Sequence, residues 1–288
     1  MKHRDHGLTL GMIGVVIFSG SLPATRAAVA GFEPVFLTAA RALLATIGAV
    51  IALVLFSNNQ RPLRSELPSL LVVAASVVVG YPLLSGIAMT EISSARGLLF
   101  TGILPLSTAM WAMVRGGERP HPGFWLFAIA GSGLLATYAL LNGGGEGVLT
   151  ADSLMLVAIV VCGLGYAEGA VLSRRLGGWQ VICWALVISA PVMFAVAAFT
   201  WPTGWPSLNS SAWLGLAYIA LFSMLIGFFF WYRALAIGGS SRVGQLQLLQ
   251  PLIGIGLSAA LLQERVAWPL IATAVGVLGC VAGARRAA

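Results

Sequence analysis

Two ionisable side chains inside apolar stretches are the residues of this chain best placed to bind or move charge. Glu168 lies within one such stretch and Arg41 within another. An ionisable group among apolar residues is costly and usually faces a cavity or a partner. Glu168 could recognise an ammonium group or carry a proton, or it could pair with Arg174 or Arg175, less than two helical turns away. Arg41 could orient a carboxylate, or its guanidinium could extend to the nearest water.

Uncharged polar side chains in apolar stretches form a second set. Gln245, Gln247 and Gln250 cluster together. Gln245 and Gln247 are two residues apart and point to different faces of a helix, so at most two of the three share a cavity. Each could contact a solute or form an interhelical hydrogen bond worth about 0.6–2 kcal/mol. Ser19 and Ser21 have the same two interpretations.

Aromatic side chains form a third set, and an apolar pocket with a tyrosine hydroxyl suits a bulky neutral solute. Packing against other helices or lipid is the alternative for each of them. The aromatic candidates are Tyr81, Phe100, Tyr166, Phe228 and Trp231.

Enzyme chemistry finds no support in the sequence. His3, His6 and His121 lie outside the apolar stretches, so a nucleophile–base pair or metal cluster cannot form within them. The three cysteines have no CxxC neighbour, and no GxxxxGK[ST] phosphate loop occurs. We therefore predict a protein that is not an enzyme and that holds no metal or cofactor.

Composition identifies the solvent in which these residues act. Hydrophobic residues make up 59% of the 288 positions and charged residues only 9%, and the mean hydropathy is +0.94. A soluble domain carries roughly a quarter charged residues. The net charge of +7 is scattered rather than concentrated in basic runs, which argues against nucleic acid. The chain is therefore predicted to lie in a lipid bilayer.

A helix needs about 20 mostly apolar residues to cross the hydrocarbon core, and ten segments qualify. The segments are 8–28, 34–56, 68–89, 93–114, 123–141, 152–173, 180–200, 211–232, 241–262 and 267–284. Their connections are short and leave no room for a soluble domain. The predicted fold is thus an all-α polytopic membrane protein with ten transmembrane helices.

A proline followed thirteen residues later by Glu-Arg occurs twice, 146 residues apart. The matched elements are Arg96, Pro105, Glu118 and Arg119 in the first copy and Arg242, Pro251, Glu264 and Arg265 in the second. The sequence therefore predicts a first five-helix repeat at 1–142, a glycine-rich linker at 143–151 and a second repeat at 152–288. Because five is odd, the repeats enter the membrane from opposite sides. Pro105 and Pro251 are candidates for a shared hinge or cavity wall, with a tolerated kink as the alternative.

Basic residues predict the orientation. In a ten-span chain, most of the sixteen lysines and arginines fall on the side of the N-terminus. Positive residues remain on the cytoplasmic side, so both termini are predicted to be cytoplasmic. The first Glu-Arg pair then lies at the cytoplasmic face and the second at the outer face.

These features resemble the drug/metabolite transporter superfamily, specifically its EamA-type ten-helix members. The resemblance rests on the paired proline and Glu-Arg elements, on Glu33-Pro34 with Arg41, and on the residues that lead to Arg96 and Arg242. It covers essentially the whole chain and is nearest to the amino-acid exporters, including those for aromatic amino acids. The first helix departs from the common Trp-Gly pattern, because it reads Phe-Ser-Gly-Ser-Leu-Pro from Phe18 onward.

The resemblance implies that helices one, three, four, six, eight and nine line a central cavity. The candidates for substrate contact are therefore Ser19, Ser21, Tyr81, Phe100, Tyr166, Glu168, Phe228, Trp231 and Gln245.

The expected function is a secondary transporter of the bacterial inner membrane that exports neutral or aromatic amino acids by alternating access. The alternatives are a multidrug, sugar, nucleoside or cation exporter of the same fold and, further away, a channel. The expected partners are a small-molecule substrate and the lipid bilayer, not nucleic acid. Proton coupling and facilitated diffusion both stay open, as do monomer and homodimer.

Overall fold

A computed structural model describes residues 2–56, 61–116, 122–142, 146–202, 209–238 and 243–286. These residues are helical apart from short turns, and no strand occurs among them. Every one of the ten predicted segments corresponds to a helix, and we label these α1 to α10. Seven are long and apolar enough to cross a membrane, and three described apolar helices are shorter. The all-α polytopic prediction is confirmed.

The first five helices begin and end as follows. Helix α1 consists of Lys2–Ser19 and Ser21–Val29, α2 is Pro34–Phe56, α3 runs from Arg64 to Glu91, α4 consists of Ser94–Thr101 and Leu104–Gly116, and α5 is Pro122–Leu141.

The second five helices follow the same plan. Helix α6 is Glu146–Leu176, α7 is Gly178–Phe199, α8 runs from Ser210 to Gly238, α9 consists of Gly244–Leu249 and Gln250–Leu262, and α10 is Trp268–Arg286. Helix α6 begins at Glu146, so residues 146–151 of the predicted linker are helical, and 143–145 lie outside the described residues.

Helix pairing follows the two-fold relation between the halves. Helix α1 packs along α8, and its counterpart α6 packs along α3. Helices α2 and α7 pack on each other, as do α4 with α9 and α5 with α10. The two helices of each of these pairs are counterparts in the two repeats, so the two-fold relation exchanges them. With an even number of crossings, both termini lie at one end of the molecule. We call the opposite end the far end.

The far end brings together the ends of α1 and α3 and the start of α4. Arg26 near the end of α1 donates a hydrogen bond from Nη1 to the carbonyl oxygen of Met89 in α3 at 2.6 Å. Ser94, the first residue of α4, follows α3 after a short turn. Because a guanidinium and a carbonyl form a charge-assisted bond, this contact ties α1 to α3 at that end.

Two π-helical segments repeat with the same spacing as the sequence motif. Ala74–Gly80 in α3 and Tyr218–Ile226 in α8 are π-helical, and a shift of 146 residues superposes the first on 220–226. Pro82 follows the first segment closely and cannot donate a helical hydrogen bond. The equivalent position in the second repeat is Phe228, so proline is not the shared cause. Such bulges are frequent at functional sites.

The matched prolines mark the points where α4 and α9 change geometry. Pro105 is the second residue of Leu104–Gly116, after a turn, and Pro251 is the second residue of Gln250–Leu262, after a 3₁₀ segment. Proline is tolerated there because first-turn N–H groups have no helical acceptor. A Cβ added to Gly102 in the turn would lie 3.7 Å from Pro251 Cγ. The two breaks therefore meet at the interface of the repeats.

Candidate functional site

A narrow cavity lies between the two repeats, near the middle of the helices. Its volume is about 20 Å³, room for about one water molecule, so the cavity is small in this conformation. Helices α1, α2, α3, α4, α6, α8 and α9 contribute to its wall. The lining residues are Phe18, Ser21, Arg41, Val77, Tyr81, Leu104, Cys162, Tyr166, Ser223, Phe228 and Gln250.

One wall of the cavity is aromatic. The ring of Phe228 lies with its centroid 5.0 Å from that of Phe18 and 5.8 Å from that of Tyr166. Trp231 packs behind them, 6.2 Å from Phe18 and 6.0 Å from Tyr166. Tilted and edge-to-face rings at these separations stabilise one another beyond their area burial. The wall is thus a preformed apolar surface built from α1, α6 and α8.

A serine pair joins the two repeats at the cavity. Ser21 Oγ and Ser223 Oγ lie 2.8 Å apart, within hydrogen-bonding distance, and both side chains are buried. Ser21 lies at the start of the second piece of α1, after the turn at Gly20. Ser223 lies within the π-helical segment of α8. These hydroxyls give the cavity both donors and acceptors.

Arg41 brings a cation to the same cavity. Its residue is only 3% exposed, so the guanidinium points inward and the alternative of extension to water is wrong. Nη2 donates to the carbonyl oxygen of Ile219 at 3.4 Å. Nε has no hydrogen-bond partner among the described residues. Arg41 therefore keeps donor capacity that faces the cavity.

The cavity is chemically unequal between the repeats. Leu104 and Gln250 are 146 residues apart and both line it, as do Val77 and Ser223. In each pair the polar member comes from the second repeat. A symmetric scaffold thus presents an asymmetric binding surface, which can orient a ligand.

The structure brings together only some of the predicted contact residues. Ser21, Tyr81, Tyr166 and Phe228 line the cavity. Four others do not line it within the described part of the chain. Ser19 donates to the carbonyl oxygen of Val15, Phe100 and Trp231 are buried core residues, and Glu168 is buried elsewhere in α6. The side chain of Gln245 lies outside the described residues, so its role stays a prediction.

Arg41 and Gln250 are weighed in the sequence analysis but do not appear among its candidates for substrate contact. Other lining residues were not predicted as cavity residues at all: Phe18, Val77, Leu104, Cys162 and Ser223. A usable signal existed for Ser223, since it is a lone polar residue in the long apolar run of α8. For Phe18 no comparable signal exists, because an aromatic residue in an apolar segment suits lipid, core and cavity equally.

Near the end of α6, Arg175 pairs with Glu66 and not with Glu168, the partner considered in the sequence analysis. Arg175 donates from Nε and Nη2 to the carboxylate of Glu66, at the start of α3. Arg174 is exposed. The bond between Arg175 and Glu66 therefore fastens α3 to α6, and it does not involve Glu168.

Arg96 forms a buried ion pair with Asp152 at the far end. Nε donates to Asp152 Oδ1 at 2.9 Å, Nη2 to Oδ2 at 2.6 Å, and Nη1 to the carbonyl oxygen of Asn142 at 2.9 Å. Cζ lies 5.2 Å from the centroid of the Tyr138 ring. Bidentate pairing of this kind is strong and directional. Arg96, the arginine that begins the first repeat element, thus ties α4 to α5 and α6.

The glutamate of the second repeat element clamps α4 to α9. Glu264 accepts hydrogen bonds from the N–H groups of Ser94 and Ala95, both at 2.9 Å, and from Ser94 Oγ at 3.0 Å. Ser94 Oγ also lies 2.9 Å from Ser258 Oγ in α9. A carboxylate at a helix N-terminus fills otherwise unpaired donors and favours the helix dipole. The first copy's Glu118 and Arg119, with Ser240 and Arg242, lie outside the described residues.

Apolar helices in two inverted repeats around a shared internal cavity are typical of a multi-pass membrane transporter, and seven of the described helices are long enough to span a bilayer. The EamA-like transporter family matches residues 5–139 and 149–285, once for each repeat, and the chain belongs to this family. The predicted family resemblance is therefore confirmed.

Similar proteins agree with this assignment. The chain is 54% identical to the "Uncharacterized transporter YdeK" of Bacillus subtilis (strain 168), over 99% of both chains. It is 25% identical to the "Probable terminal-alkyne amino-acid exporter" of Streptantibioticus cattleyicolor, over 96% of this chain and 92% of the relative. A solved structure titled "Crystal structure of protein" shares the fold, with a TM-score of 0.69 and 17% identity, over 98% of this chain and 96% of that one.

Proposed function

We propose that the chain is a secondary carrier that exports neutral and aromatic amino acids across the bacterial inner membrane by alternating access. The observation that supports this most directly is the aromatic cavity at the interface of the two repeats, with Phe18, Tyr166 and Phe228 as its apolar wall. With both termini in the cytoplasm, the far end faces outward.

The chemistry of the cavity favours this solute class over the alternatives. A flat aromatic wall suits a bulky apolar side chain, and the hydroxyls of Ser21, Ser223 and Tyr81 suit a polar head group. An organic cation is disfavoured, because Arg41 places a positive charge at the wall and like charges repel strongly in a medium of low dielectric constant. The name of the amino-acid exporter to which the chain is 25% identical agrees with this proposal.

Alternating access follows from the placement of the cavity. Both repeats contribute to it, so a movement of one repeat against the other would open it to one side at a time. The cavity is narrow here, which suits a carrier that closes around its solute. A channel would instead need a continuous polar path.

Counterflow in proteoliposomes tests the proposal. Vesicles that contain the purified full chain are loaded with one solute and exposed to its labelled form, across a panel of amino acids, sugars, nucleosides and cationic drugs. We expect saturable counterflow for phenylalanine, tryptophan and leucine, and none for the other classes. Flux that never saturates would indicate a pore, and counterflow of another class alone would replace the amino-acid proposal. An imposed pH gradient in the same vesicles tests proton coupling, for which Glu168 is the buried candidate.

Cys162 provides a reporter within the chain. It lines the cavity, whereas Cys183 is buried elsewhere and Cys280 is half-buried. In a Cys183→Ser, Cys280→Ser background, we expect a small methanethiosulfonate reagent to modify Cys162 and abolish most counterflow, because the added group fills the narrow cavity. Saturating phenylalanine should slow the modification. The same background with Cys162→Ser is the control and should resist the reagent; equal inhibition of both would contradict this location of the site.

A further inference from the structure

Among the described residues that line the cavity, Arg41 alone carries a formal charge. No acidic side chain belongs to this described lining, so these residues offer the cation no counter-charge. Burying an uncompensated charge is expensive. A ligand that supplies a negative group at this point would remove much of that cost.

A comparison with Arg96 shows what a structural arginine looks like in this protein. Arg96 directs Nε, Nη1 and Nη2 to oxygen acceptors, with two of these bonds to Asp152. Arg41 has one long bond, to the carbonyl of Ile219 at 3.4 Å, and its Nε has no partner among the described residues. A guanidinium has five N–H donors in a planar fork that matches a carboxylate. Arg41 thus has the free donors that carboxylate binding requires.

Gln250 supplies a complementary group in the same cavity. The residue is 4% exposed, and its Oε1 has no hydrogen-bond partner within the described part of the chain. An amide oxygen accepts hydrogen bonds from an ammonium group. The cavity therefore holds an unsatisfied donor and an unsatisfied acceptor, which are the two contacts that a zwitterion needs.

We propose that Arg41 binds the α-carboxylate of the transported amino acid, that Gln250 accepts a hydrogen bond from its α-ammonium group, and that the aromatic wall receives its side chain. This inference rests on the proposed function and specifies its substrate class as free amino acids with both ends unmodified. Amides, esters and decarboxylated amines lack the negative group, and they leave Arg41 without a counter-charge.

Binding of four related ligands to the purified full chain in nanodiscs tests this assignment by calorimetry. Phenylalanine has both groups, phenylalaninamide and phenethylamine lack the carboxylate, and 3-phenylpropionate lacks the ammonium group. We expect the two ligands without a carboxylate to bind at least about 100-fold more weakly than phenylalanine, because a buried charge that loses its partner costs about 3–5 kcal/mol. We expect 3-phenylpropionate to bind roughly tenfold more weakly, because it loses one hydrogen bond to a neutral group.

Two substitutions separate the two contacts. Arg41→Gln should abolish the discrimination between phenylalanine and phenylalaninamide. Gln250→Leu, which copies the repeat partner Leu104, should equalise phenylalanine and 3-phenylpropionate and leave the discrimination against the amide intact. Arg41→Met offers a well-packed apolar alternative if Arg41→Gln does not fold, and the ligand series on the unmodified protein needs no variant at all.

The outcomes distinguish this inference from the proposed function. Equal binding of phenylalanine and its amide by the unmodified protein would overturn the carboxylate site, while saturable amino-acid counterflow would still support the carrier. Absence of any amino-acid binding together with Arg41-dependent binding of 3-phenylpropionate would overturn the amino-acid substrate and support the carboxylate site. Discrimination that persists in Arg41→Gln would overturn the assignment to Arg41.

Discussion

Asp152→Ala is expected to destabilise the folded protein by about 3–5 kcal/mol, because it leaves the guanidinium of Arg96 buried without its counter-charge. The side chains of Arg96 and Asp152 are only 10% and 6% exposed, and two short hydrogen bonds join them. The small exposed fraction of both side chains limits how far solvent can replace the lost carboxylate. The measurement is the free energy of unfolding of the purified chain in mixed detergent micelles.

A double replacement distinguishes loss of the pair from loss of a buried charge. Arg96→Met combined with Asp152→Leu should recover most of the stability, since a packed apolar pair often replaces a buried ion pair at little cost. Glu66→Ala is the matched control at an ion pair with a more exposed arginine, Arg175, and it should have a much smaller effect. If the double replacement costs as much as Asp152→Ala alone, the loss does not come from an uncompensated charge.

Under the proposed alternating access, Glu264→Ala is expected to shift the transporter toward the conformation that is open at the far end. From the turn that follows α9, the carboxylate accepts hydrogen bonds from two N–H groups and one hydroxyl at the start of α4. Opening at that end must break this contact between the repeats. Hydrogen bonds to a charged group contribute about 1.5–3 kcal/mol. The open population should therefore rise roughly 10- to 150-fold, because a ligand-free equilibrium follows the stability of each state.

The rate at which an impermeant thiol reagent reaches Cys162 from the outside of intact cells reports this shift. We expect faster modification in Glu264→Ala and an intermediate rate in Glu264→Gln, whose amide retains one acceptor oxygen. Glu91→Ala is the control, because Glu91 is an exposed glutamate at the same end. Lower thermal stability with an unchanged modification rate would show that Glu264 stabilises the fold without controlling access.

The repeated element now has a physical role in the described structure. Its proline marks the break at which α4 or α9 changes geometry, and in the second copy its glutamate clamps the start of α4. The arginine of the first copy is fixed by Asp152. These contacts concern how the repeats hold together, whereas the cavity differs between the repeats at Leu104 and Gln250. The residues that the two repeats share thus hold the scaffold together, whereas residues that differ between the repeats make the cavity surface asymmetric.

The sequence by itself determined the class of protein, the number of helices and their division into two inverted repeats. Lipid leaves a spanning backbone no option but internal hydrogen bonds, so about 20 apolar residues between polar turns specify a helix without reference to its neighbours. The spacing of 146 between Pro105 and Pro251 and the odd number of helices per repeat then specify the relation of the halves.

Only the tertiary structure decided which face of each helix turns inward. In a membrane, lipid-facing and buried residues are equally apolar, so no periodicity distinguishes Phe100, which packs in the core, from Phe228, which lines the cavity. The π-helical segments of α3 and α8 also change the number of residues per turn, so the faces of these helices do not follow ordinary α-helical spacing. Val77 and Ser223, which lie in these segments, line the cavity. The orientation of Arg41 toward that cavity depends on how the helices rotate against one another, and a single helix does not encode it.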